Sequence, residues 1–537
     1  MKNRYKYFTG LAIIGFSVIL GSCQKNFLDI NTDPNNPTDL PLTQILPAAE
    51  GGLTFNLCQN VGGINSATST FVHQIVNTRV NDYIVDGTNF QNAWGYAGGG
   101  YGVFPGVLYD LQTVINKGTA QNAPHYVGVA QVQKAYIFSL WVDLFGDVPY
   151  FDALKGNDNL SPKYDASTAI YDDLFVQLDN AITNLSAASS SLSPDGNSDL
   201  IYAGDRTKWI RLANSIKLKL YNQVRLKRDV KAQINALIAG NNLITTDDQD
   251  FQLKFGTSAS PENRNIGFFA NYGTGQRESF VSPYFYTTLK NSNDPRMPYF
   301  IYNQLTPTGN PTNPVDFRDG RFLSVRFSSK GPNRNQDQRT FQSLLGLFPV
   351  GGRYDNGTGG TGALTSGPGD APVRVLTTYQ VKFIQAEAAL TLGTTGVVTD
   401  LLRSAIVDNF TKINKQAAAV PGSVQSVPGI TDLVRDAYIT TVIAAYNAAP
   451  TTADKLNVIM TQKWIASFGY GMDAYTDYRR TGFPAIPNTT GAVDPEMVST
   501  RTFPFRLPYP SSEQTSNPNF PGQPDIYGAS GKIFWAN

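Results

Sequence analysis

Cysteine and histidine are almost missing from this chain: among 537 residues stand only Cys23 and Cys58, His73 and His125. Two cysteines build no disulfide framework, so stability has to come from a buried core. Two histidines far apart in sequence exclude a His-Glu-x-x-His zinc site, and there is no cysteine pair to hold a metal instead. Charge is scarce as well. Lys plus Arg number 43 and Asp plus Glu 42, and together they make up 16% of the chain. A near-neutral chain without basic runs is not built to neutralise phosphates, which argues against a nucleic-acid partner. Long apolar runs are lacking too. Phe8 to Leu20 is thirteen residues, where a membrane-crossing helix needs about 20.

Catalytic and cofactor motifs are equally sparse. Gly357-Thr358-Gly359-Gly360-Thr361-Gly362 has the spelling of a phosphate-cradling G-x-G-x-x-G, but Gly367-Pro368-Gly369 follows where the helix should begin, so it reads as a flexible loop. Gly528-Ala529-Ser530-Gly531 lacks nucleophile-elbow spacing. No cofactor and no metal are called for. Glycoside hydrolysis needs only a pair of carboxylates, and Asp and Glu are plentiful. A surface glycoside hydrolase therefore stands as one alternative to a binding protein, and a structural or adhesion lipoprotein as another.

What is present begins at the first residues. Lys2, Arg4 and Lys6 precede the short apolar run, which closes on Leu20-Gly21-Ser22-Cys23. A basic start, a short apolar stretch and small residues before a cleavage point describe a secretory signal, and the ending resembles a bacterial lipobox. Residues 1–22 are then a signal peptide, and Cys23 carries acyl chains such as palmitate. Each buried methylene adds about 0.8 kcal/mol, so several chains anchor firmly. Residues 23–47, with Asn31-Thr32-Asp33-Pro34-Asn35-Asn36-Pro37, read as an extended tether. Residues 48–537 read as a single domain.

Periodicity predicts a mostly α fold. Apolar residues recur at helical spacing in 125–145 (Val129, Val132, Tyr136, Ile137, Leu140, Leu144), 165–185 and 205–227, and again in 373–392, 397–410, 431–447 and 452–468. Asp165 or Ser167 offers a cap for the second of these. Helices in succession with short links, at about 125–228 and 373–470, resemble tetratricopeptide-like pairs. They form a pedestal, and the Gly-, Pro- and aromatic-rich stretches 86–106, 255–372 and 481–537 form its irregular ligand face, since long loops in compact domains are rarely idle.

Neutral amides and hydroxyls beside 12% aromatic residues suit uncharged, hydroxyl-rich ligands. Two loop clusters concentrate these groups. In Trp94-Gly95-Tyr96-Ala97-Gly98-Gly99-Gly100-Tyr101-Gly102-Val103-Phe104, glycines separate large rings, and Asn89, Gln91 and Asn92 stand nearby. In the second, Phe268-Phe269-Ala270-Asn271-Tyr272 leads to Arg277. Trp94, Tyr96, Tyr101, Asn92, Tyr272 and Arg277 are the candidate ligand contacts. For both clusters a second reading stands: the rings pack as core beneath the loop. Trp141, Trp209 and Trp464 read as helix core.

Several blocks carry a family resemblance. Gln462 to Pro484 (QKWIASFGYGMDAYTDYRRTGFP) is followed by Arg506-Leu507-Pro508-Tyr509-Pro510 with Glu513 and Asn517-Pro518-Asn519. Upstream stand Asp143-Leu144-Phe145-Gly146-Asp147-Val148-Pro149-Tyr150, Asn293 to Pro298 (NDPRMP) and Gln380 to Ala389 (QVKFIQAEAA). In this order the blocks resemble the SusD/RagB family of outer-membrane nutrient-binding lipoproteins, over nearly the whole mature chain. The resemblance implies a helical tetratricopeptide-like fold and a place on the outer face of the outer membrane, held by the lipid alone. It implies a SusC-like TonB-dependent barrel as partner, over which the protein sits as a lid, and an oligosaccharide or peptide as ligand. Asp29 to Ala49 looks like a branch distinct from the starch-binding founder. Arg479 and Arg480 are expected to pair with Asp473 or Asp477, or to hold the loop that follows.

Overall fold

The computed structural model describes residues 39–59, 63–77, 82–95, 102–273, 277, 279–308, 316–329, 340–486 and 502–536. The expected signal peptide, Cys23 and most of the tether lie outside these residues. The longer helices of the first half are α1 (Leu42–Gly52), α2 (Ile64–Phe71), α3 (Tyr109–Ala120), α4 (Pro124–Phe145), α5 (Ser167–Leu185) and α6 (Arg206–Val224). Those of the second half are α7 (Thr378–Leu392), α8 (Val398–Ala419), α9 (Asp432–Ala448), α10 (Thr452–Ala466), α11 (Gly471–Thr481) and the short α12 (Ser511–Ser516). Each of α3 to α6 packs on the next, and so does each of α7 to α10, which makes two stacks of helix pairs. The stacks meet where α6 touches α7 and where α11 lies against α2 and α4. The described strands are short antiparallel ribbons that tie the linkers down. Ile75–Asn77 pairs with Ser279–Val281, and Val373–Leu376 with Phe251–Leu253. No described helix is long and apolar enough to cross a membrane.

The structure refines the periodicity in four places. The stripe expected on 125–145 is a helix buried on nearly all sides: Ala130, Phe138, Trp141 and Val142 are as inaccessible as Val129 and Leu140. Neighbours α3 and α5 cover it from both flanks, so it is a core helix, not an amphipathic one. Helix α5 is capped by neither Asp165 nor Ser167. The Ser167 N–H donates to Asp147 Oδ1 at 2.8 Å, and Asp165 instead accepts from the Tyr150 and Phe151 N–H groups at 2.9 and 2.8 Å. Helix α7 begins at Thr378, not 373, because β-branched Val373 and Val375 belong to a ribbon strand and Thr377 with Gln380 forms a capping box. Residues 42–47, expected in the tether, start α1, whose Leu42, Ile45 and Leu46 recur at helical spacing and are buried.

A buried ionic cluster joins the two stacks. Glu387 on α7 is fully inaccessible and takes the Arg225 guanidinium at the end of α6 at 2.8 Å and Arg480 of α11 at 2.8 Å. The Asn222 amide adds a bond to Glu387 Oε2 at 2.9 Å. Arg480 also reaches Asp477 at 2.7 Å, Asp477 pairs with Lys463 of α10 at 2.8 Å, and Asp473 with Lys219 of α6 at 2.7 Å. The pairing of Arg480 with Asp477 follows the expectation. Arg479 holds the following segment by donating to the Phe505 carbonyl at 3.0 Å, its guanidinium lying 4.0 Å from the centre of the Tyr475 ring. A second node fixes the Asn293–Pro298 block. Arg296, also fully inaccessible, grips Asp294 and donates to Asn409 of α8 at 2.9 Å and Gln462 of α10 at 3.0 Å.

Burial alone would raise the Glu387 pKa, but the Arg225 and Arg480 guanidiniums, with Lys463, outweigh it and hold the carboxyl below the usual range. A carboxylate whose folded pKa is depressed contributes stability above its unfolded pKa and loses it as pH falls through the folded value. Glu387→Gln is expected to destabilise the fold by about 3–5 kcal/mol, because it leaves two buried guanidiniums short of charge. Urea titration measures this. The loss should shrink as pH drops below the ordinary glutamate value of 4.5, and a pH-independent difference would mean that the cluster is not ionic in the folded state.

Candidate functional site

A cleft lies at one end of α3 and α4, and its first wall is built around two glycines. Gly95, at φ +109°, ends the short helix Gln91–Trp94 in a conformation that side chains resist. The chain returns at Gly102 so closely that a Cβ there would lie 2.1 Å from the Gly95 Cα. From Gly102 a turn of π-helix, Val103–Leu108, runs straight into α3. This brings Phe104 onto Trp94 in a stack, 4.7 Å between centroids at 25°, while Phe145 meets Trp94 edge-on at 5.2 Å. The second wall is the α4–α5 connection, with Pro149, Ala153, Leu154, Leu160 and Pro162; Glu513 of α12 completes the third. The cavity measures about 450 Å³, within the rough 300–1,000 Å³ span of small-ligand sites.

Its polar groups differ in how far the protein already occupies them. The Asn159 amide donates to the Asp152 carbonyl and Oδ2 at 2.9 and 2.7 Å, and its Oδ1 accepts the Ser161 N–H at 3.1 Å. Glu513 Oε2 accepts from the Tyr164 hydroxyl at 2.7 Å and the Asn517 amide at 3.2 Å. By contrast, the side chains of Tyr109, 41% exposed, and of exposed Asn157 make no hydrogen bond within the described protein. Both are free to serve a ligand. Glu513 is the one carboxylate among the described lining residues, whereas glycosidases need two facing one another. The strongly perturbed acids lie elsewhere, in the core. Burial pushes Asp143 up to about 6 while it accepts from Trp535 Nε1 at 2.8 Å, and burial likewise raises Asp250, paired with Lys412 at 2.6 Å, to about 6.

Of the residues singled out in the sequence, Trp94 lines the cleft, but it is 1% exposed and sits behind Phe104, its Nε1 buried without a partner among the described residues. Asn92 is exposed two residues away and is not part of the lining. Tyr96 and Tyr101 lie outside the described residues. Tyr272 and Arg277 are placed in the body, not on a ligand face. Tyr272 stacks on Phe268 at 4.9 Å and its hydroxyl donates to the Leu345 carbonyl at 2.9 Å. Arg277 is buried and bonds Gln304 Oε1 at 3.1 Å and the Gly362 carbonyl. These two tie the 255–372 region together. Trp141, Trp209 and Trp464 are core, as expected. Tyr109 and Asn157 escaped the sequence reading, and Glu513 entered it only as part of a family block. The one signal for the second wall was the Gly156-Asn157-Asp158-Asn159 turn cluster between two long helices.

Comparison with known proteins places the fold. The profile of a SusD-like family, described as "Starch-binding associating with outer membrane", matches residues 34–510. A search of curated proteins finds no match. Among solved structures, a SusD/RagB family protein from Bacteroides thetaiotaomicron aligns with a TM-score of 0.67 at 22% identity, covering 93% of this chain and 99% of that one. A chitin-binding SusD homologue from Flavobacterium johnsoniae aligns at 0.67 and 19%, covering 92% and 98%. A Bacteroidetes SusD-like protein aligns at 0.69 and 18%, covering 93% and 100%.

The crossing of Gly95 and Gly102 sets the position of the stacked rings. Gly102→Ala is expected to cost about 1–3 kcal/mol, as overpacking does, and to flatten the near-ultraviolet circular dichroism of the Trp94–Phe104 pair. An unchanged melt and spectrum would show that the loop relocates without disturbing the stack.

Proposed function

Because the chain belongs to the SusD-like family, we propose that it is a surface-displayed outer-membrane lipoprotein that binds oligosaccharides in the cleft beside Trp94 and passes them to a transporter. The observation that carries this reading is the combination of an aromatic wall with two uncommitted neutral polar groups, the Tyr109 hydroxyl and the Asn157 amide. Sugar rings present apolar faces that lie on aromatic or aliphatic surface, and hydroxyl edges that bond amides and phenols. Phe104, Pro105 and Leu160 offer the first kind of surface. Trp94 supports them from behind. Asn92, exposed beside Trp94, extends the site in this proposal, and Tyr96 and Tyr101 are proposed as further ligand contacts. The relative described as chitin-binding shares the fold, which favours a glycan over a peptide here. A single lining carboxylate favours binding over hydrolysis.

In this reading acyl chains on Cys23 hold the protein at the membrane, and a SusC-like TonB-dependent barrel lies beneath it. Confinement beside the barrel raises the effective concentration of captured ligand, so modest affinity suffices. The protein would act as a lid that closes to deliver what it has bound.

Tyr109→Ala and Asn157→Ala are each expected to weaken oligosaccharide binding about tenfold by calorimetry, the worth of one good contact, with the melting temperature unchanged. Full affinity in both variants would remove the cleft from consideration. A mild-detergent pull-down from outer membranes is expected to recover a TonB-dependent barrel in near-equal amount; recovery of the lipoprotein alone would favour a free-standing binder.

A further inference from the structure

Glu513 is set into the cleft wall as a carboxylate that the protein uses on one side only. It is 3% exposed, and both of its side-chain hydrogen bonds fall on Oε2, from Tyr164 and Asn517. Oε1 has no hydrogen-bond donor within the described protein. No lysine or arginine is among the described lining residues. The α4–α5 connection carries Asp147, Asp152, Asp158 and Asp165 against Lys155 and Lys163, a formal charge of −2, so it adds no positive charge to offset Glu513. Lys155 is also paired with Asp152. The chain as a whole carries a formal net charge of +1, so any charge preference at this site arises locally.

We propose that Glu513 makes the cleft a charge filter: it admits neutral glycans, favours amine-bearing ones and rejects uronates and sulfated sugars. This rests on the reading of the cleft as the glycan site. A hydroxyl or ammonium of the ligand donates to Oε1 and completes the carboxylate's shell. A ligand carboxylate must shed its water beside a like charge that no cation offsets, and Coulomb repulsion across a partly desolvated cavity is several times its value in water. The aromatic wall accepts any sugar face, and Glu513 on the third wall adds discrimination by charge. Glu513 touches the ligand in this scheme and sets specificity without taking part in any reaction.

The test is calorimetry on the full chain with hexamers of glucosamine, N-acetylglucosamine and galacturonate, at low and at high salt. The expected order is glucosamine tightest, N-acetylglucosamine next and galacturonate weaker than the neutral hexamer by about tenfold or more. Salt should narrow that gap, because exposed parts of the interaction are screened. Glu513→Gln keeps an oxygen acceptor for Tyr164 and should bring the three affinities to within about threefold. Should that variant fail to fold, the salt series on the unaltered protein decides alone. Equal affinity for the neutral hexamer and galacturonate would overturn the filter and leave the glycan cleft standing. Absence of binding by all three, with Tyr109→Ala equally silent, would overturn both.

Discussion

Two helical stacks that differ in sequence and stand far apart along the chain are joined by charge. Glu387, Arg225, Arg480, Asp477 and Lys463 meet where α6, α7, α10 and α11 converge, with almost no access to water. A buried ion cluster contributes little net stability compared with well-packed apolar side chains, but it penalises every arrangement that separates its members. Apolar surfaces could slide by a helical turn and still be covered; five charges with fixed hydrogen-bond geometry cannot. The register of one stack on the other depends on this node. Arg296 acts alike on a smaller scale, holding a loop block against α8, α9 and α10.

The helices of both stacks, except α3, were legible because their apolar spacing is regular. Trp209, Leu212, Ile216 and Leu220 fall on the buried face as their spacing demands. Helix α2 was not legible. Its sequence, Ile64-Asn65-Ser66-Ala67-Thr68-Ser69-Thr70-Phe71, is mostly polar, yet every residue is buried. The hydroxyls of Thr68 and Thr70 donate to carbonyls one turn back, at 2.9 Å each, which satisfies them without water. Gly471 then approaches so closely that a Cβ would lie 2.2 Å from the Ser69 hydroxyl. Small polar residues here serve close approach between helices, a purpose that a search for apolar stripes does not detect.

The candidate site shows the same division. The aromatic loop drew attention because rings and glycines alternate there, and Trp94 does belong to the cleft. Its burial behind Phe104 follows from a chain crossing at two glycines 7 positions apart in the sequence, and only the folded backbone reveals which ring lies in front. Tyr272 and Arg277 had an equally plausible composition, but their polar atoms are taken by backbone carbonyls and Gln304. Tyr109 is a member of a helix, and Asn157 sits in a short connection. Neither is unusual for its local sequence. What marks them is the lack of a hydrogen-bond partner among the described residues, a property that exists only in three dimensions.

The segment 503–535 returns to the first half of the molecule and finishes it. The Leu507 N–H donates to the Leu144 carbonyl at 2.7 Å, the Tyr509 hydroxyl to the Asp147 carbonyl at 2.6 Å, and Trp535 Nε1 to Asp143 at 2.8 Å. Because Glu513 lies in this same return, the cleft closes only after several hundred residues have been made and folded. Contacts of such sequence separation form late, since the loop they close must be ordered first. Until this segment docks, Asp143 keeps the Tyr171 hydroxyl of α5 but lacks the Trp535 indole, and the cleft lacks the wall that Glu513 supplies.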